Sequence, residues 1–225
     1  MNNSASFLSM PNLDVEHFIR CVKMAVSGNK DIVPDHDLEN AFLYIRPIFF
    51  GSGKHLGLNA PGEFTFVVFV EPMNTYHGQK PLAALVVDEF DRAATRGIGA
   101  VKAGGNYAPV FKWSMEASSE GFGITLHLDS KTQTYIDEFS SCAFIGVYED
   151  ESGSITLVTP DSVSVVPSVT VDSCSSIAGQ RGWKFEKRSV SIEFPILIIE
   201  FCFRNLSFSL SWNYTGSIHR AIYVL

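Results

Sequence analysis

Cysteine, basic charge and long apolar runs are all scarce in this 225-residue sequence, and each shortage excludes a class of protein. The four cysteines, Cys21, Cys142, Cys174 and Cys202, lie far apart, with no CxxC and no paired spacing. That pattern builds neither a zinc site nor a disulfide scaffold, and it suits a reducing compartment. The histidines His17, His36, His55, His77, His127 and His219 share no ligand spacing either, so they are expected to be surface or satisfied side chains and no metal is expected. Lys plus Arg total 17 against 24 for Asp plus Glu, a formal charge of −7. No basic stripe is left to follow a phosphate backbone, so no nucleic-acid partner is expected. The longest apolar run, 194–203, is broken by Glu200 and reaches half of the ~20 residues that a membrane span requires. The opening MNNSASFLSMPNLD carries neither the basic nor the apolar segment of a secretory signal. No membrane partner is expected.

What remains is a chain with 46% hydrophobic residues, 18% charged residues and 18 Phe, enough apolar material for one large domain or two small ones. Val15, Phe18, Ile19, Val22 and Val26 recur near a 3.6 period, with Asp14 placed to cap the start and Gly28 to end it. This predicts an amphipathic helix. The β-rich runs Phe42–Phe50 and Phe64–Val70 flank a Pro61-Gly62 turn, predicting a small α+β unit that ends near Glu71. Pro72–Pro81 reads as a connection. Beyond it the pattern predicts strands at Leu82–Val87, Ile124–Leu128, Cys142–Tyr148, Ile155–Val158 and Trp183–Val190, and helices at Pro109–Ser119 and Val169–Ala178. Trp113, Met115 and Phe111 are expected to pack the first of these helices on the sheet. The larger part is therefore α/β or α+β, and no internal repeat is present.

Three stretches carry chemistry. In RGIGAVKAGGNY (Arg96–Tyr107) four glycines surround Lys102, which has Val101 and Ala103 beside it. A lysine among small apolar residues is open to desolvation, which lowers an amine's pKa and makes it a usable nucleophile. A flexible loop with a solvated lysine has the same letters. No GxxxxGK[ST] or GxGxxG pattern is present. In YIDEFSS (Tyr135–Ser141) a carboxylate at a strand end beside two hydroxyls suits a protonated ring nitrogen, or is simply a turn. In Pro167-Ser168-Val169-Thr170 a hydroxyl precedes an apolar-periodic segment, as in an anion site at a helix start or an ordinary N-cap. Arg92 and Arg96 flank the lysine loop; either is placed to meet a phosphate, with solvated arginines the commoner case.

In this order the three stretches resemble the fold-type-IV pyridoxal-phosphate aminotransferases, most closely the branched-chain amino-acid aminotransferases of fungal type. The matching residues are FLYIRP (Phe42–Pro47), FGSGKHLGL (Phe50–Leu58), FVEP with TYHGQKPL, and DRAATRGIGAVKAGGNYAP (Asp91–Pro109). Further on come YIDEFSSCAFIGV (Tyr135–Val147), LVTP (Leu157–Pro160), VVPSVTVDS (Val165–Ser173) and GWKFEKR. The resemblance runs from Met1 to Glu193.

The resemblance implies a two-domain α+β fold of which this chain holds part. Residues 1–75 would be the remainder of a small N-terminal domain, 76–83 a linker, 84–193 part of a large cofactor-binding domain, and 194–225 an atypical tail. It implies pyridoxal 5′-phosphate as cofactor and a homodimer in the cytoplasm or mitochondrion. Branched-chain amino acids and 2-oxo acids would be the substrates. Lys102 would be the Schiff-base lysine and proton shuttle, Tyr107 the partner of the cofactor's 3-oxygen and Glu138 that of its ring nitrogen. Val169 and Thr170 would hold the phosphate, and Tyr44 and Arg46 would line the substrate side. The family's phosphate arginine lies upstream of a segment like MNNSA, its glycine-threonine-alanine turn is replaced by PILIIEFCFRNLSFSLSWNY, and Ala143 stands where the family has asparagine. A chain truncated at both ends is therefore expected, with a cofactor held about 10²–10⁴ more weakly if each loss acts independently. A D-amino-acid or amine transaminase, an aminodeoxychorismate-lyase-like enzyme and a non-catalytic remnant are the alternative expectations.

Overall fold

The computed structural model describes residues 1–39, 41–74 and 82–193, together with the backbone of 197–199 and 221–224. The chain divides into two units, Met1–Gly78 and Gln79–Leu225. Most of the segment expected as a linker lies outside the described residues, and its last two residues, Leu82 and Ala83, already belong to a strand.

In the first unit α1 (Asn2–Phe7) is followed by α2 (Val15–Gly28) and the strands β1 (Ala41–Gly51) and β2 (Phe64–Asn74). Asp14 sits in extended backbone and its carboxylate accepts the His17 N–H at 2.7 Å. This satisfies one of the free donors that every helix start leaves. The strands form an antiparallel ladder in which Tyr44 faces Glu71, Arg46 faces Phe69 and Ile48 faces Val67. Facing residues share one side of the sheet. The other side carries Phe49 and Phe66, and Phe18 of α2 packs on Phe66 with ring centroids 5.5 Å apart.

The second unit is built on an eight-stranded mixed sheet in the order β5-β4-β3-β10-β9-β6-β7-β8. Its strands are β3 (Leu82–Val87), β4 (Ile124–Leu128), β5 (Ile136–Phe139), β6 (Ile145–Glu149), β7 (Ile155–Pro160), β8 (Lys184–Arg188), β9 (Leu197–Ile199) and β10 (Ala221–Val224). Helices α3 (Val110–Ser119) and α4 (Val169–Gln180) cross between the parallel pairs β3/β4 and β7/β8, as parallel neighbours demand. One core cluster joins Ala84, Val86, Leu126, Phe139, Phe144 and Val158, and a second joins Ile145, Val147 and Leu157 to Cys174 and Ala178 of α4.

Three expectations are corrected here. The strand expected from Cys142 begins at Ile145. Strand β5 covers Ile136–Phe139, where the sequence suggested only a strand end or a turn. The wall expected from α3 also differs, because Phe111 and Met115 are 65% and 73% exposed while Val110 and Ala117 are buried. Small side chains let the helix lie close to β4, and Trp113 instead stacks on Phe90, centroids 5.6 Å apart. Of the expected tail, β9 and β10 pair within the sheet, and 194–196, 200–220 and 225 lie outside the described residues.

Candidate active site

The crossover from β3 to α3 carries the lysine. Val101 is buried and Lys102, next to it, turns outward. A short 3₁₀ turn over Gly104–Asn106 then reverses the chain, closed by Tyr107 N–H to Gly104 O at 3.0 Å. Asn106 staples the loop, its Nδ2 donating to the carbonyls of Ile98 at 2.7 Å and Val101 at 2.8 Å. Together these bring Tyr107 back to the lysine, whose Nζ donates to the phenol oxygen at 2.6 Å and lies 4.4 Å from the ring centroid. The pairing of Lys102 with Tyr107 thus follows from a turn that the glycine-rich spacing suggested. The role of Asn106 was missed, although its place directly before Tyr107 was the available signal.

Lys102 itself is exposed. The expectation of a dry lysine is not met: the small apolar neighbours pack inward and leave the amine outside. Gly104 and Gly105 would meet nothing within 4 Å if they bore a side chain. Neither the packing nor a positive φ requires glycine at these two positions of the turn. Gly99 is the glycine that packing requires, since an added Cβ would fall 2.6 Å from Ser164 O.

Glu138 stands on β5. Opposite Leu126, His127 and Leu128 of β4 lie Phe139, Glu138 and Ile136, so the register shifts and Asp137 has no partner across the pair. This bulge lets Ile136 and Phe139 both enter the core while Glu138 leaves by the other face. The carboxylate is buried and pairs with Arg92 Nη1 at 2.9 Å, and Glu138 Oε2 accepts the Val166 N–H at 3.3 Å. Arg92, expected in solvent, is only 8% exposed, and its Nη2 donates to Ser164 O at 2.5 Å. Burial pushes the Glu138 carboxyl up to about 7, outweighing the pull of Arg92 beside it. The charge of Lys102 also favours the ionised form. Burial likewise raises Asp137, against a hydrogen bond from Ser162.

His127 is fully buried, not at the surface, and only half satisfied. Its Nε2 lies 3.1 Å from Thr125 Oγ1, while Nδ1 has no hydrogen-bond partner. Burial, and then the charge of Arg92, holds this ring at about 4.

Two opposing pH dependences follow. A carboxyl raised from 4.5 to about 7 on folding contributes stability that is complete below 4.5 and is lost as pH rises to 7. A histidine lowered from 6.5 to about 4 contributes stability that is complete above 6.5 and is lost as pH falls to 4. At ~1.4 kcal/mol per pH unit each amounts to about 3 kcal/mol, and between pH 4.5 and 6.5 they cancel. Glu138→Gln removes the first alone. Urea melts of this variant are expected to gain stability from pH 4.5 to 6.5 about 1.4 kcal/mol per pH unit faster than the parent. Equal slopes would contradict the burial of Glu138.

Two residues beyond Val166, Ser168 caps α4, its Oγ accepting the Val171 N–H at 3.2 Å. The N–H groups of Val169 and Thr170 lie in the first turn, ahead of Asp172 N–H, the first intrahelical donor, where a helix start can hold an anion. Tyr44 and Arg46 belong to the first unit. They share one face of its hairpin, with the Arg46 guanidinium 4.6 Å above the Tyr44 ring. No cluster of three or more metal-ligating side chains occurs among the described residues, and no helix there is long and apolar enough to cross a membrane.

The profile of the family described as amino-transferase class IV matches residues 1–194. Aminotransferase poxL of Penicillium oxalicum is 50% identical over 190 residues, 84% of this chain and 52% of that one. The branched-chain amino-acid aminotransferase of Escherichia coli superposes with a TM-score of 0.66 at 24% identity, over 84% of this chain and 58% of that one. A hypothetical aminotransferase from Mycobacterium tuberculosis, in its PLP-bound form, superposes with a TM-score of 0.64 at 17% identity, over 84% of this chain and 64% of that one. The chain spans about half the length of the curated relatives it matches.

Proposed function

This chain belongs to the amino-transferase class IV family, and from that premise we propose that it transfers the amino group of a branched-chain amino acid to 2-oxoglutarate. Its fold is part of the fold-type-IV aminotransferase fold, and class IV aminotransferases use pyridoxal 5′-phosphate. The residues present fit that group. They offer a primary amine 2.6 Å from a phenol, a buried carboxylate and the open start of a helix. Those three are what an aldehyde with a neighbouring hydroxyl, a basic ring nitrogen and a phosphate call for.

Lys102 would hold the aldehyde end, Tyr107 the ring hydroxyl, Glu138 the ring nitrogen, and Val169 and Thr170 the phosphate. Once bound, the cofactor supplies an electron sink for the amino acid's Cα–H bond to break. Lys102 Nζ is then the base that takes the α-proton and gives it back, and Tyr107 Oη holds that nitrogen in place by its hydrogen bond. Glu138, dry and paired with Arg92, presents a negative charge to a protonated nitrogen. The face of the β1–β2 hairpin that bears Tyr44 and Arg46 also bears Ile48, Val67 and Phe69. Such a face suits an aliphatic donor side chain, with the guanidinium for the second carboxylate of 2-oxoglutarate. A homodimer accompanies this reading. The pairing of Lys102 with Tyr107 carries it.

Amino-donor profiling of the chain supplied with pyridoxal 5′-phosphate and 2-oxoglutarate tests the reading. Leucine is expected to yield glutamate and D-alanine none. Turnover of D-alanine would assign a D-amino-acid transaminase instead, and no transfer from any donor would leave a chain without this activity.

A further inference from the structure

One buried polar side chain beside Glu138 takes no part in the steps above. His127 and Glu138 are facing residues of the β4–β5 pair, so their side chains leave the sheet on one side. His127 is 0% exposed. The Thr125 hydroxyl two residues back lies 3.1 Å from Nε2, and Phe90 meets the ring edge-on, centroids 6.2 Å apart. Its Nδ1 is left without a partner, an arrangement that costs stability and that an aliphatic side chain of similar size would avoid. The imidazole therefore asks for a role.

The charged groups around it define that role. Arg92 arrives from the β3–α3 crossover, Glu138 stands opposite on β5, and Asp137 lies next to Glu138 at the bulge. A cation at position 127 would oppose Arg92, and a small residue would leave space for water against the carboxylate. Neutral imidazole does neither. We infer that His127 is a positioning residue for Glu138: tethered by Thr125, it closes the sheet face beside the carboxylate against water and leaves the charge of Arg92 undivided. The inference rests on the class IV reading of Glu138 as the group that faces the cofactor ring. Burial and the Arg92 charge keep the ring uncharged at neutral pH, in agreement.

The test is a carbon-13 NMR titration of the cofactor-free chain carrying labelled glutamate, with the Glu138 carboxyl assigned by its loss in Glu138→Gln. His127→Ala admits water and is expected to lower the Glu138 midpoint by a pH unit or more. His127→Gln, which refills the space without charge, is expected to keep it within half a unit of the parent. An unchanged midpoint in folded His127→Ala overturns the inference. Should His127→Ala fail to fold, Thr125→Val decides, since it keeps the side-chain shape and removes only the tether. A downward shift of half a unit then supports the role, and no shift overturns it. No cofactor or turnover enters this readout, so failure of the transaminase reading and failure of this one are seen separately.

Discussion

On the proposed transaminase reading, replacing Lys102 by alanine is expected to lower amino transfer by about 10²–10⁴-fold through loss of the proton-transferring amine alone. Covalent attachment of the cofactor should be lost as well. The structure makes this a clean experiment. Lys102 is exposed and donates a hydrogen bond to the Tyr107 phenol. Alanine at an exposed loop position changes stability by about 0.5 kcal/mol or less, so lost activity would not reflect lost folding. Two measurements check it. The glutamate yield from leucine reads the rate, and borohydride reduction followed by peptide mass mapping reads whether pyridoxal 5′-phosphate was joined to residue 102. Attachment that persists at another lysine in Lys102→Ala would sink the assignment.

The second large effect concerns folding. Arg92→Met removes the cation paired at 2.9 Å with a buried carboxylate. Breaking a buried pair from one side costs about 3–5 kcal/mol, because the remaining charge is left dry and unpaired. Here the cost is tied to pH. The Glu138 carboxyl titrates near 7 even with Arg92 present, and without the arginine it keeps its proton to higher pH still. At pH 6 the orphaned acid is neutral and the loss shrinks to the hydrogen bonds that Arg92 gives Ser164 O and Gly99 O. Above pH 7 the parent carboxyl ionises beside its arginine while the variant's stays protonated, so by pH 8 the loss has grown by about 1.4 kcal/mol. Urea denaturation at the two pH values reads the difference, and the double variant Arg92→Met/Glu138→Gln should regain most of the pH 8 loss. Equal destabilisation at pH 6 and pH 8 would show that the arginine acts only through packing.

These two residues divide the site by how it is encoded. Lys102 and Tyr107 lie five positions apart, and a turn between them needs only local hydrogen bonds, so a short motif carried both. The caps are legible for the same reason: Asp14 and Ser168 each satisfy an N–H three residues ahead. The strands β1, β2, β3, β4 and β7 were readable because runs of β-branched and aromatic residues end at turn residues. Strand β5 was not. It is short and holds two carboxylates, so its composition argues against a strand, and only pairing with β4 makes it one.

What the sequence determined by itself was therefore the set of short-range devices: the helix caps, the glycine-bounded lysine loop, the turn to Tyr107 and, through those motifs in order, the family. The tertiary structure alone decided which of these groups are dry. It buries Arg92 by setting it against Ser164, a partner 72 positions away, and it places His127 opposite Glu138 through a register that one bulge shifts. It also leaves Lys102 in the open, where its apolar neighbours had suggested burial. Desolvation depends on which distant segments come to cover a side chain, and no local spacing records that.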